Sequence, residues 1–286
     1  MNSLNDQQDS GAAISSRAPV VGVFDSGFGG LTVLRSLLSK IPSAKYIYLG
    51  DTARLPYGAK SQATIARYAV ESARFLEDQG SDYLVIACNT ATALALEDIR
   101  RAVKVPVLGV IEPGAKAAKK AVGQAGGEVL VLATAATVQS HAYHAACAAI
   151  GLRAVEVACP LLVPLVEEGW VDHQVTRDVL RIYLSEALTK CDPDAVLLGC
   201  THYPVIAGAI EKTLRELGSD AVVIDSAEST AEAASVALGV PVDASFPEHA
   251  ANFECYATDS VEKFQRLGSL FLQRPIERVQ ALDLGG

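Results

Sequence analysis

Two cysteines in this chain stand where thiol chemistry is possible. The segments Asp82-Tyr-Leu-Val-Ile-Ala-Cys88 and Asp194-Ala-Val-Leu-Leu-Gly-Cys200 share one plan: an Asp, five mostly apolar residues, then a Cys. Small polar residues follow each Cys at once, Asn89 and Thr90 in one segment, Thr201 and His202 in the other. Such a run reads as a buried strand that ends where a helix begins. In open α/β sheets, ligands sit beyond the carboxyl ends of the strands, where helix N-termini turn backbone N–H groups toward an anion. A helix N-terminus also favours the thiolate form of a neighbouring cysteine. The expectation is therefore two reactive thiols, one from each half of the chain, flanking a single ligand. A lone strand-end cysteine is more often a small apolar core residue; the matched pair shifts the balance toward chemistry. A weaker echo links Val23-Phe-Asp25-Ser26 with Val223-Ile-Asp225-Ser226, and both echoes suggest duplication of a half-sized α/β unit.

Other chemistries fit less well. A phosphatase loop needs Arg six residues after its Cys, where Leu94 and Ile206 stand. His141, His144 and Cys147 have helical spacing, and read as a partly exposed helix face rather than a zinc site. Cys88 can be paired with His202, but no local protease signature surrounds either. Asp25-Ser-Gly-Phe-Gly-Gly30 imitates a dinucleotide fingerprint, with Asp51 in the place of a ribose-binding acid. Thr32 occupies the third glycine position, however, and Asp25 would crowd a pyrophosphate with negative charge. The loop is expected to be a tight turn binding a small polar ligand, though glycines that merely form the turn fit equally.

The elements that must position these residues alternate along the chain. Apolar strands are expected at 20–24, 46–49, 83–87, 107–110, 129–132, 154–157, 195–198, 221–224 and 253–257. Helices are expected at 31–40, 64–79, 91–102, 115–122, 138–150, 174–189, 205–217, 226–238 and 261–271, with a loop around Pro160 and Pro164. That alternation means parallel sheets covered on both faces, an open α/β architecture. A length of 286 residues favours two sheets over one. Half the residues are hydrophobic and 20% charged, enough for a globular core without disulfides or structural metal. The net charge of −9 and pI near 5.1 argue against a nucleic-acid binder. Mean hydropathy is +0.25, yet no run approaches the ~18 apolar residues of a spanning helix, so no membrane association is expected. Residues 1–19 lack the basic start and apolar stretch of a secretory signal, so the expected location is cytoplasmic. There the six cysteines, none in a C-x-x-C pair, should be thiols.

Taken in order, the motifs resemble those of the glutamate racemases in the aspartate/glutamate racemase superfamily. The matching segments are Gly22-Val-Phe-Asp-Ser-Gly-Phe-Gly-Gly-Leu31, Tyr48-Leu-Gly-Asp-Thr-Ala-Arg-Leu-Pro-Tyr-Gly58, Ala87-Cys-Asn-Thr-Ala91 and Gly109-Val-Ile-Glu-Pro113. They continue with Val163-Pro-Leu-Val-Glu-Glu168, Leu198-Gly-Cys-Thr-His-Tyr-Pro204 and Ile224-Asp-Ser226, so the resemblance runs from about residue 20 to the C-terminus. It implies two pseudo-symmetric open parallel-sheet α/β domains with the active site in the crevice between them. The first would span 20–110 plus 225–286 and the second 111–224; the polar extension at 1–19, longer than the start of many members, is expected from its composition to be disordered. It implies interconversion of L- and D-glutamate with no cofactor and no metal, supplying D-glutamate for peptidoglycan, by a homodimer. Cys88 would take the α-proton from the D-isomer and Cys200 from the L-isomer, assisted by Asp25, Glu167 and His202. Substrate would be held by Asp25, Ser26, Pro56, Tyr57, Gly58, Asn89, Thr90, Thr137 and Thr201. One departure is Ala133, where the family usually carries Gly; Thr134 and Thr137 are kept. Rival readings are racemisation of aspartate or a hydantoin, which would keep both cysteines, and a non-catalytic binder of an acidic metabolite.

Overall fold

The computed structural model describes residues 17–123, 126–240 and 252–285. Of the expected extension at 1–19, residues 1–16 lie outside the described residues; Arg17 is ion-paired with Asp82.

The chain begins β1 (Val20–Asp25), α1 (Leu31–Lys40), β2 (Lys45–Gly50), α2 (Gln62–Asp78), β3 (Tyr83–Ile86), α3 (Asn89–Ala102) and β4 (Val107–Gly109). It continues through α4 (Ile111–Val122), β5 (Glu128–Ala133), α5 (Ala135–Ser140), α6 (Ala142–Ala149), β6 (Arg153–Ala158), α7 (Leu162–Glu167) and α8 (Gln174–Leu188). The remainder is β7 (Ala195–Gly199), α9 (Ala207–Glu216), β8 (Val222–Asp225), α10 (Ala227–Leu238), β9 (Asn252–Ala257), α11 (Val261–Leu272) and β10 (Val279–Ala281). Two sheets result, ordered β10-β9-β2-β1-β3-β4 and β6-β5-β7-β8, and every pairing is parallel. This is the expected two-sheet α/β architecture. The central strands are buried on both faces, as their unbroken Val, Leu and Ile content requires. No described helix is long and apolar enough to cross a membrane.

The sheets share a plan. Without its two C-terminal strands, the first sheet reads second-first-third-fourth, and so does the second. Cys88 follows β3 and Cys200 follows β7, the third strand in each case. The Asp heading each repeated segment does the same work. Asp82 accepts the N–H of Val20 at 2.9 Å, and Asp194 that of Glu128 at 2.8 Å, each the first residue of the first strand. In return Asp82 N–H reaches Val20 O at 2.8 Å and Asp194 N–H reaches Glu128 O at 2.9 Å. The weaker echo does not survive. Asp25 ends the inner first strand and Asp225 the outer fourth strand, which are not equivalent places.

Four elements differ from expectation. The helix expected at 138–150 is two helices, broken at His141, whose φ of 54° caps the first and starts the second. The loop around Pro164 contains α7. Pro164 sits in its first turn, where a missing N–H leaves no intrahelical bond unmade. A 3-10 turn at Tyr203–Ile206 precedes α9, with Pro204 at its start. The three-residue edge strand β10 is too short for a periodic signal.

Gly50 closes β2 directly beneath the Asp25–Gly30 loop. A methyl group there would lie 2.3 Å from Gly27 O and 2.7 Å from the Phe264 ring. Gly50→Ala is expected to cost about 1–3 kcal/mol, the usual price of overpacking. Urea denaturation checks this; an unchanged midpoint would show that the loop yields freely.

Candidate active site

The carboxyl ends of the two sheets meet at a small cavity of about 40 Å³. The lobe built on the first sheet contributes Ser26, Leu55, Pro56, Tyr57, Gly58, Cys88, Asn89 and Thr90. The other contributes Thr134, Val163, Cys200, Thr201 and His202. Both repeated cysteines therefore line one space. Cys147, Cys159, Cys191 and Cys255 are buried elsewhere.

Cys88 is the N-cap of α3, its Sγ accepting the Ala91 N–H at 3.4 Å and lying 3.5 Å from Ser26 Oγ. The helix N-terminus does favour the thiolate, as expected, but it does not decide the outcome. Burial, reinforced by the nearby Asp25 charge, outweighs the Ser26 and Ala91 hydrogen bonds and pushes the thiol up to about 11. Cys200 precedes a 3-10 turn, without an α-helix N-terminus at hand, and burial drives its thiol higher still despite the backbone N–H of His202. At neutral pH both are thiols.

Asp25 ends β1 fully buried, and burial raises its carboxyl above the ordinary value against the opposing pull of His202. Its Oδ2 accepts the Gly27 N–H at 2.9 Å, and its Oδ1 accepts the Thr201 hydroxyl, from the other lobe, at 3.3 Å. The glycines around it serve close approach. A methyl group on Gly30 would fall 2.5 Å from Asp25 Cβ, and one on Gly29 2.2 Å from Thr201 Oγ1. Only Ser26 of this loop lines the cavity.

Glu167 does not line the cavity but stands behind His202. His202 Nε2 lies 3.3 Å from Glu167 Oε1, and Lys263 of α11 donates to Oε2 at 3.2 Å. Burial works to raise the Glu167 carboxyl, but His202 and Lys263 together outweigh it and hold it below its usual value. The His202 ring is buried edge-on against Phe271, and its Nδ1 has no protein partner among the described residues.

The remaining expected contacts divide in two. Asn89 and Thr90 open α3 toward the cavity, whereas Thr137 stands one layer back. Thr90 Oγ1 lies 2.9 Å from Thr134 Oγ1 and 3.2 Å from Thr137 Oγ1, and those two are 3.0 Å apart, a hydroxyl triangle joining the lobes. Thr134, not counted among the expected contacts, lines the cavity. Its place after a strand, as N-cap of α5, was the available signal. Pro56 follows a cis peptide bond. The Tyr57 hydroxyl points away from the cavity, donating to Asp51 Oδ2 at 2.5 Å. Asp51 also accepts from Arg54 Nε at 2.7 Å and Thr258 Oγ1 at 2.9 Å. The acid that imitated a ribose ligand is thus spent on anchoring the 56–58 loop.

A family model described as Asp/Glu/Hydantoin racemase matches residues 31–234. The chain belongs to that family. A relative from Koribacter versatilis (strain Ellin345), named glutamate racemase, is 49% identical over 96% of this chain and 100% of its own. The crystal structure of glutamate racemase from Francisella tularensis in complex with D-glutamate is 34% identical, with a TM-score of 0.82 over 94% of this chain and 98% of that one. Escherichia coli glutamate racemase, solved with L-glutamate and the activator UDP-MurNAc-ala, is 28% identical with a TM-score of 0.74 over 94% of this chain and 100% of its own. The chain is thereby an amino-acid racemase, an enzyme of the isomerase class.

Iodoacetamide should alkylate Cys88 at a rate rising about tenfold per pH unit from about pH 7 to about pH 10, following the thiolate fraction. Mass mapping of the modified peptide checks this. A plateau below about pH 9 would mean that burial does not control the thiol.

Proposed function

We propose that this enzyme interconverts L- and D-glutamate by proton transfer between Cys88 and Cys200, without a cofactor. One observation carries the reading: two cysteines at equivalent strand ends of two like-built lobes line the same cavity. Inversion at an α-carbon needs a base on one face and an acid on the other, and a thiolate–thiol pair exchanges those roles with direction. From L-glutamate, the Cys200 thiolate takes the α-proton and the Cys88 thiol returns one to the opposite face. From D-glutamate the roles reverse.

Two obstacles follow from the chemistry. Both thiols rest protonated, so each needs a group to take its proton. Asp25, a buried carboxyl with raised affinity for protons, acts for Cys88. His202, backed by Glu167, acts for Cys200. The second obstacle is the charge that develops on the substrate carboxylate. Donors from Ser26, Asn89 and Thr90 and the N–H groups opening α3 answer it, and Thr201 lines the same cavity with its hydroxyl held by Asp25. Thr137 supports this set through Thr90 and Thr134, and the 56–58 backbone closes the side formed by Pro56, Tyr57 and Gly58. A cavity of about 40 Å³ holds little more than a water molecule. The lobes must therefore part to admit glutamate and close again around it.

The family likeness supports three further parts of the reading: supply of D-glutamate for peptidoglycan, a cytoplasmic location, and a homodimer of two-domain chains divided at 110/111 and 224/225.

Incubation with L-glutamate in heavy water, with no cofactor added, should give α-deuteration and loss of optical rotation. Aspartate should show neither. Absence of exchange in the folded wild type would overturn the proposal. Cys88→Ala and Cys200→Ala should each lower racemisation about 10²–10⁴-fold, the usual worth of a general acid or base. Full activity in either would exclude the two-thiol mechanism.

A further inference from the structure

The Asn89 amide sits between two demands. Its Oδ1 accepts a 2.5 Å hydrogen bond from the Tyr143 hydroxyl, and among the described residues no protein acceptor is paired with its Nδ2. Tyr143 comes from α6 of the opposite lobe and is completely buried. Its ring is clamped between two close backbone approaches, at Gly199 and Gly114, where added methyl groups would lie 3.0 Å and 3.6 Å from it. Burial raises its phenol far above the usual value, so the group is neutral and has one proton to donate. The opposite amide orientation would leave that proton without an acceptor at a fully buried position, at a cost of about 1–3 kcal/mol.

We propose that Tyr143 is a positioning residue, which fixes the Asn89 amide with its N–H groups turned into the cavity, toward the substrate carboxylate. The inference rests on the racemase reading and adds a residue that touches no substrate. A donor aimed in advance at developing charge costs no reorganisation during the reaction, and a freely flipping amide loses that advantage. Because Tyr143 and Asn89 ride on different lobes, the donor is aimed only while the lobes are together. The break at His141 makes this possible, since Thr137 before it meets Thr90 and Tyr143 after it meets Asn89.

The test is a double-mutant cycle on glutamate racemisation, with thermal melts alongside. Tyr143→Phe keeps the ring and should lower kcat about ten- to a hundredfold, with KM changed less than about threefold. Asn89→Ala should lower kcat at least as much. The double variant should match Asn89→Ala alone, because an orienting group has nothing left to orient. Wild-type kcat in Tyr143→Phe, or losses that multiply in the double variant, would overturn the role. If Tyr143→Phe does not fold, Asn89→Asp decides, since it keeps an acceptor for Tyr143 and removes the N–H. A folded Asn89→Asp with wild-type kcat overturns the role, and a comparable loss supports it. A wild type that leaves glutamate unchanged overturns the racemase reading itself, and this inference with it.

Discussion

A carboxyl group cut off from water, Asp25, is the constraint around which the rest of the site is arranged. Burying a carboxylate is costly unless donors and opposite charge surround it. Here the donors are the N–H groups of the glycine-rich loop and the hydroxyl of Thr201, and the neighbouring His202 ring pulls against the effect of burial. The loop can wrap so tightly only because glycines stand where side chains would strike Asp25, Thr201 or His202. One carboxyl thereby fixes the loop sequence and one of the seams between the lobes. Burial raises the proton affinity of this carboxyl and of the neighbouring Cys88 thiol alike, and the proposed mechanism has the two exchange a proton.

The lobes repeat a plan but not its surroundings. Cys88 has an α-helix N-terminus and Ser26, whereas Cys200 has a 3-10 turn and the His202–Glu167–Lys263 chain. A substrate presents different groups to its two faces, and unequal surroundings for two equivalent thiols suit that. The contacts completing the site are drawn from both lobes: Asp25 with Thr201, Thr90 with Thr134 and Thr137, Asn89 with Tyr143, and Lys263 with Glu167. In the proposed reading, opening the cavity for substrate breaks such contacts and closing it restores them, so that binding and assembly of the reactive geometry are one event.

Much of this was legible along the chain, because strand-end chemistry in parallel sheets is written locally. Apolar runs followed by Cys and small polar residues located both thiols, and alternation of strands and helices announced two sheets. What failed did so for physical reasons. Helix position suggested ionised thiols, but the depth of burial that keeps them protonated depends on how the lobes close over them. The Asp25–Gly30 loop looked fit to hold a ligand. Of that loop only Ser26 reaches the cavity, while Gly29 packs against Thr201 and His202 of the other lobe and Phe28 against Phe264 of its own. The rejection of a dinucleotide site at Asp51 agrees with the structure, where Arg54, Tyr57 and Thr258 converge on that acid.

The sequence by itself determined the parallel α/β class, the repeated Asp…Cys strands and the identity of the two thiols, since each depends on residues within a few positions of one another. Only the tertiary structure decided that both thiols open into one cavity, that they rest protonated, that Glu167 lies against His202 outside the cavity, and that Tyr143 grips Asn89. Those facts depend on desolvation and on hydrogen bonds between residues tens to more than a hundred positions apart, which no local pattern encodes.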